Sequence, residues 1–162
     1  MKSLILSCLL LTATFYCFAQ STCNIQKAYA YYSVSMPGTQ MVDENGNPIT
    51  PKPTITRFIY VEYSGAKMPD IKTVRYNGAE ISFSVVNVTA KTVSVGDKNL
   101  NPNNSITAKK GNKFLKIEIH PEEGKVMPDT DCKSIIIKTK QGGKVCKFYV
   151  MREKEISNLP SY

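Results

Sequence analysis

The 162-residue chain contains no tryptophan and one histidine, His120. Any Ser-His-Asp or Cys-His arrangement must therefore run through that single side chain. No Gly-Xaa-Ser-Xaa-Gly elbow is present to supply a nucleophile. Zinc needs three or four nitrogen, sulfur or oxygen ligands at recognisable spacing, and His120-Pro121-Glu122-Glu123 stands without such a set. The reading is accordingly non-enzymatic, with no catalytic residue, no metal site and no cofactor expected. The missing tryptophan also removes the Cys…Trp…Cys spacing of true immunoglobulin domains. Helix-period patterning is absent after residue 20, and so is any apolar run of the roughly 20 residues that a membrane-spanning helix requires. Neither a finger spacing nor an RNA-binding aromatic signature occurs, so nucleic acid is not an expected partner.

The first residues are patterned differently. Met1, Lys2 and Ser3 give a short basic start, an apolar run follows from Leu4 to Phe18, and Cys17-Phe18-Ala19 places small side chains before Gln20. That is the layout of a secretory signal peptide over residues 1–19. It resembles bacterial export signals. Export to the periplasm or beyond follows as the expectation, and cleavage would leave 143 residues (162 less 19) as one domain over residues 20–162. Loss of Lys2 lowers the formal charge from +8 to +7. A basic balance of this size suits an anionic partner and equally suits an ordinary soluble surface.

Short β-branched and aromatic runs separated by turn residues dominate the rest. Strands are expected near residues 25–36, 54–64, 71–76, 79–86, 88–95, 112–119, 133–141 and 144–152. About eight such strands predict an all-β, antiparallel β-sandwich, with immunoglobulin-like topology as the leading form. The resemblance to small exported bacterial sandwich domains is architectural only.

Two hairpins can be placed in register. Asn77-Gly78 suits a two-residue type I′ turn, which needs positive φ at both positions. It pairs Tyr76 with Ala79, Arg75 with Glu80 and Val74 with Ile81, so opposite charges face each other. It also puts Val74, Tyr76, Ile81, Phe83 and Val85 on one face. Gly142-Gly143 likewise pairs Thr139 with Cys146, Ile137 with Phe148 and Ile135 with Val150 as a core face. Ile136 then faces Tyr149, and Lys138 faces Lys147.

Cys8 and Cys17 belong to the signal, leaving Cys23, Cys132 and Cys146. Export permits oxidation, and an odd count permits one internal bridge. In the second hairpin register Cys132 and Cys146 are seven residues apart along the ladder, roughly 23 Å. A disulfide needs Cα atoms within about 7 Å. The bridge must therefore include Cys23, with its partner left open.

Four groups are candidates for binding. Lys138, Lys140, Lys144 and Lys147 cluster on the last hairpin, as edge protection or as contacts to an anionic partner. Lys109, Lys110, Lys113 and Lys116 form a second basic stretch. The polar segment Gly96–Asn104, with Asn99, Asn101 and Asn103, reads as a recognition loop. Tyr29 and Tyr31 share a strand face, either as an exposed platform or packed within the sandwich. Asp43-Glu44-Asn45-Gly46-Asn47 has alternating oxygen ligands, but Thr54 stands at position twelve where a calcium loop carries Glu, so a turn is expected. Asn87-Val88-Thr89 is a glycosylation sequon, relevant only in a eukaryotic secretory host.

These features describe an exported, non-catalytic binding module of the bacterial envelope, whose partner is another envelope protein or an anionic surface polymer. One alternative is a structural subunit assembling through an edge strand or a spare thiol. The other is a hydrolase or metal-dependent protein using His120.

Overall fold

The computed structural model describes residues 23–35, 41–49, 53–96, 104–120 and 134–156. The expected signal segment, residues 1–19, lies outside these, as do Cys132, Asn99, Asn101 and Asn103. Every described element is a strand: β1 (Ile25–Ser35), β2 (Met41–Val42), β3 (Pro48–Ile49), β4 (Thr54–Tyr63), β5 (Asp70–Tyr76), β6 (Ala79–Val88), β7 (Thr92–Ser94), β8 (Ser105–Thr107), β9 (Lys113–His120), β10 (Ile135–Gln141), β11 (Lys144–Val150) and β12 (Glu153–Glu155). The fold is all-β. Among the described residues no helix is long and apolar enough to cross a membrane.

Eight strands form one sheet in the order β11-β10-β5-β6-β9-β4-β1-β12, and β2–β3 and β7–β8 are separate two-stranded ribbons. Every pairing in the large sheet is antiparallel except β1 with β12, which is parallel. The sheet is therefore mixed. It is also continuous, because β6 serves two neighbours in turn. Residues 79–81 pair with β5, and residues 82–88 pair with β9. The sheet curls about this strand until its inner faces meet. Ile59, Val61, Leu115 and Ile117 from one half and Val74, Tyr76, Ile135 and Ile137 from the other are buried in a single core.

Two β-bulges let the apolar pattern reach that core. In β1 the register shifts between Ile25 and Lys27, so Ile25 faces inward on one side of the slip and Ala28 and Ala30 on the other. In β5 the shift falls at Lys138/Thr139 of the partner strand, and Ile71 and Val74 both turn inward across it. An inserted residue reverses the period-two alternation, which is how residues of opposite parity share one face.

Both predicted hairpins form in the expected register. Asn77 and Gly78 adopt φ of 47° and 88°, and Gly142 and Gly143 adopt 55° and 80°. Arg75 Nη2 lies 3.4 Å from Glu80 Oε2 across the first hairpin. Nothing lies within 4 Å of the position a Cβ would take at Gly78, so only left-handed strain opposes a side chain there. Gly78→Ala is expected to cost about 1 kcal/mol in urea unfolding.

The strands differ from the sequence reading in several places. The short strands β2, β3 and β8 were not expected. The run expected over 88–95 is split. β6 continues to Val88, then Lys91 accepts a hydrogen bond from Ala108 N at 2.9 Å and β7 pairs with β8 instead of the sheet. The strand expected to reach residue 152 stops at Val150, and Glu153–Glu155 becomes β12 beside β1.

The ends of the curled sheet meet. Cys23, two residues before β1, is disulfide-bonded to Cys146 of β11 at a Cα separation of 6.1 Å. Asn24 N donates to Gln141 Oε1 at 3.1 Å across the same seam. Only Met151 and Arg152 separate β11 from β12, although the two strands stand at opposite ends of the strand order.

Candidate functional site

β11 is pinned on its inner side. Thr139, Cys146 and Val150 are buried, and Cys146 carries the disulfide. Alternation then sends Val145, Lys147 and Tyr149 to the outer face. Val145 is 63 % exposed and Tyr149 57 %, and Met151, one residue past the strand, is 77 % exposed. These are three of the most exposed large apolar side chains among the described residues, and one strand and its next residue carry them all.

Lysines stand among them. Lys138 of β10 lies directly opposite Lys147, Lys140 lies opposite Val145, and Lys144 sits at the hairpin tip. Lys140, Lys144 and Lys147 are exposed and Lys138 is half-buried. Among the described residues none of the four has an ion-pair partner. Asp70 lies opposite Lys140, but its carboxylate is 2.7 Å from Lys72 Nζ. Glu80, on β6 at the far side of β5, is held by Arg75. A directly opposed lysine pair is mildly unfavourable and is relieved by water or by an anion.

In the second basic stretch Lys109, Lys110 and Lys113 are exposed, and Lys116 is tied into the fold. Lys116 Nζ bonds Glu118 Oε1 at 2.8 Å and stands 4.9 Å above the Phe58 ring. That bond to Lys116 holds the Glu118 carboxyl below its ordinary range. Lys109 donates its backbone N–H to Glu62 Oε1 at 2.9 Å, and Asn112 Nδ2 donates to the same oxygen at 2.6 Å. Glu62 is 1 % exposed on the outer side of β4. It fixes the 109–112 turn, a role invisible in sequence because its partners lie 47 and 50 positions away.

The tyrosines pack. Tyr29, Tyr31, Phe58, Tyr60 and Phe114 form a network of ring contacts at centroid separations of 5.6–6.4 Å on the outer side of β1, β4 and β9. Tyr31 and Phe114 are buried. Burial, with the neighbouring Tyr29 and Tyr60, pushes the Tyr31 hydroxyl up to about 12. The β7–β8 ribbon lies beside this network. Val95, Gly96, Asn104 and Ile106 share a cleft of about 190 Å³ with Tyr31, bounded on its other side by Lys154 and Glu155.

The remaining candidates have plain geometries. Asp43 Oδ1 accepts from Asn45 N at 2.9 Å and Asn47 N at 2.8 Å, and Oδ2 accepts from Asn47 Nδ2 at 3.1 Å. The Asn47 backbone and side-chain bonds lower the Asp43 carboxyl. This is a side-chain-capped turn joining β2 and β3, as its sequence suggests. His120 is exposed, with Nε2 2.9 Å from Ser84 Oγ. The pair stands on the neighbouring strands β6 and β9, and the Glu118 carboxylate opposite Ser84 is engaged by Lys116. No cluster of three or more potential metal ligands occurs among the described residues.

No known family, curated protein or solved structure matches this chain.

Proposed function

We propose that this chain is an exported, non-catalytic interaction module of the bacterial cell envelope that engages an anionic partner through the outer face of β10 and β11. The observation that carries this reading is the coincidence on the β10–β11 hairpin of Lys138, Lys140 and Lys147, with Lys144 at the tip, none with an ion-pair partner among the described residues, and of exposed Val145 and Tyr149 with the adjacent Met151. Solvated lysine alone is edge protection. Exposed apolar side chains interleaved with it are not explained by protection, and exposed apolar groups rimmed by polar ones mark interaction surfaces. Export is supported by the pattern of residues 1–19 and by the Cys23–Cys146 bridge, since disulfides persist in oxidising compartments.

Assembly through a free edge has less support, because the bridge ties β11 to the chain just ahead of β1. A hydrolytic role for His120 has Ser84 as a neighbour but no nucleophile motif in the sequence to support it.

Retention of envelope material by the immobilised exported form tests the proposal. Replacing Lys138, Lys140, Lys144 and Lys147 together with Gln is expected to abolish retention at unchanged thermal stability. Replacing Lys110 and Lys113 with Gln is expected to leave it intact. Equal retention by both variants would overturn the assignment.

A further inference from the structure

We infer that the β10–β11 face docks on the anionic headgroup surface of a lipid bilayer, an assignment that rests on the proposed binding role of that face and names its partner. Three properties of the face select this occupant.

The first is size. The outer face of β11, β10 and β5, three strands about 4.8 Å apart and seven residues long, spans roughly 300 Å². It is a small patch at one edge of the sheet. A bilayer surface needs no fixed complementary footprint.

The second is composition. Lysine is depleted in the cores of protein–protein interfaces. At a membrane surface it is favoured, because its flexible stem lies along apolar groups while the ammonium reaches the headgroups. Tyrosine settles at headgroup level for the same reason. Val145, Tyr149 and Met151 supply apolar groups for the headgroup boundary, and the lysines supply charge. Neither signal alone holds a protein on a bilayer firmly, and the two together do so reversibly.

The third is charge balance. Lys138 and Lys147 oppose each other across the ladder, and neither has an acidic partner among the described residues. Among the described residues the neighbouring carboxylates Asp70 and Glu80 are already bonded to Lys72 and Arg75. Lipid phosphates would lie between the opposed ammonium groups and relieve their repulsion. The inward-facing Cys146 bridge holds β11 so that this row stays outward.

Co-sedimentation of the exported form tests the assignment. The probes are vesicles of phosphatidylcholine alone and of phosphatidylcholine with phosphatidylglycerol, with soluble polyglutamate as an acidic polypeptide control. Binding is expected to phosphatidylglycerol vesicles only. It should fall at least tenfold at about 1 M salt, where the screening length shrinks to about 3 Å. Lys138, Lys140, Lys144 and Lys147 changed together to Gln should weaken it at least tenfold, each lysine contributing up to about fivefold near an anionic surface. Val145, Tyr149 and Met151 changed together to Ser should weaken it several-fold with the salt response retained. Equal binding to both vesicle types, or indifference to the lysine changes, would overturn the assignment. Lysine-dependent binding to polyglutamate without vesicle binding would overturn the lipid assignment and leave the proposed function standing. Absence of both would overturn the two together.

Discussion

Replacing Cys23 and Cys146 together with Ser is expected to lower the stability of the chain by about 4–5 kcal/mol. The bridge spans 123 positions. In the chain-entropy account, opening a loop of that length restores to the unfolded state most of the conformational freedom that the cross-link had removed. The location adds to the effect. The bridge joins the start of β1 to β11, where the two ends of the curled sheet meet. Asn24 N to Gln141 Oε1 is an exposed bond on that seam and cannot replace it. At roughly 4 °C per kcal/mol for a domain of this size, the midpoint of thermal unfolding should fall by about 15–20 °C. Unfolding of wild type with and without reductant should reproduce the difference. A change below about 1 kcal/mol would mean that packing alone closes the seam.

Glu153→Ala is expected to destabilise the fold by about 3–5 kcal/mol at neutral pH. Glu153 Oε2 lies 3.3 Å from Arg57 Nε, and both side chains are 2 % exposed. Removing the carboxylate leaves a guanidinium in the core that cannot lose its proton. It stands 6.0 Å from the Tyr76 ring. Arg57→Met should cost less, because the abandoned carboxyl can take up a proton. The consequence is a pH dependence of definite sign. Burial raises the Glu153 carboxyl above its ordinary value, against the opposing pull of Tyr76 and Arg57. A raised folded value means that the fold binds this proton more tightly than the unfolded chain does. The stabilisation that comes from binding this proton is therefore fully present below the ordinary glutamate range and is lost as pH rises through the folded value. The stability deficit of Arg57→Met should shrink on acidification from pH 7 towards pH 4, and that of Glu153→Ala should not. Urea midpoints of the two variants at both pH values decide the matter.

Much of the sheet was readable from local signals. Asn77-Gly78 and Gly142-Gly143 require positive φ, and that requirement set both registers. Alternation then placed Val74, Tyr76, Ile135 and Ile137 in the core. The second register also ruled out Cys146 with Cys132 and confined the bridge to Cys23. The choice of Cys146 depended on how far the sheet curls, a non-local property that no window of sequence contains. β12 was missed for a related reason. Glu153-Lys154-Glu155 carries no apolar alternation, and Glu153 is buried only because Arg57, 96 positions away, meets it. Glu62 was missed in the same way. The binding face was half legible. The lysine cluster stood out in the sequence, whereas the outward row of Val145, Tyr149 and Met151 needed the burial of Cys146 and Val150 to show which side faces the solvent.

Closure of the sheet between the start of β1 and β11 sets which side of the last hairpin is presented outward. Peptide mapping of the purified protein under non-reducing conditions tests that closure most directly. A cross-linked peptide pair containing Cys23 and Cys146 is the predicted result. A Cys132–Cys146 pair would contradict both the seam and the hairpin register on which the outward face depends.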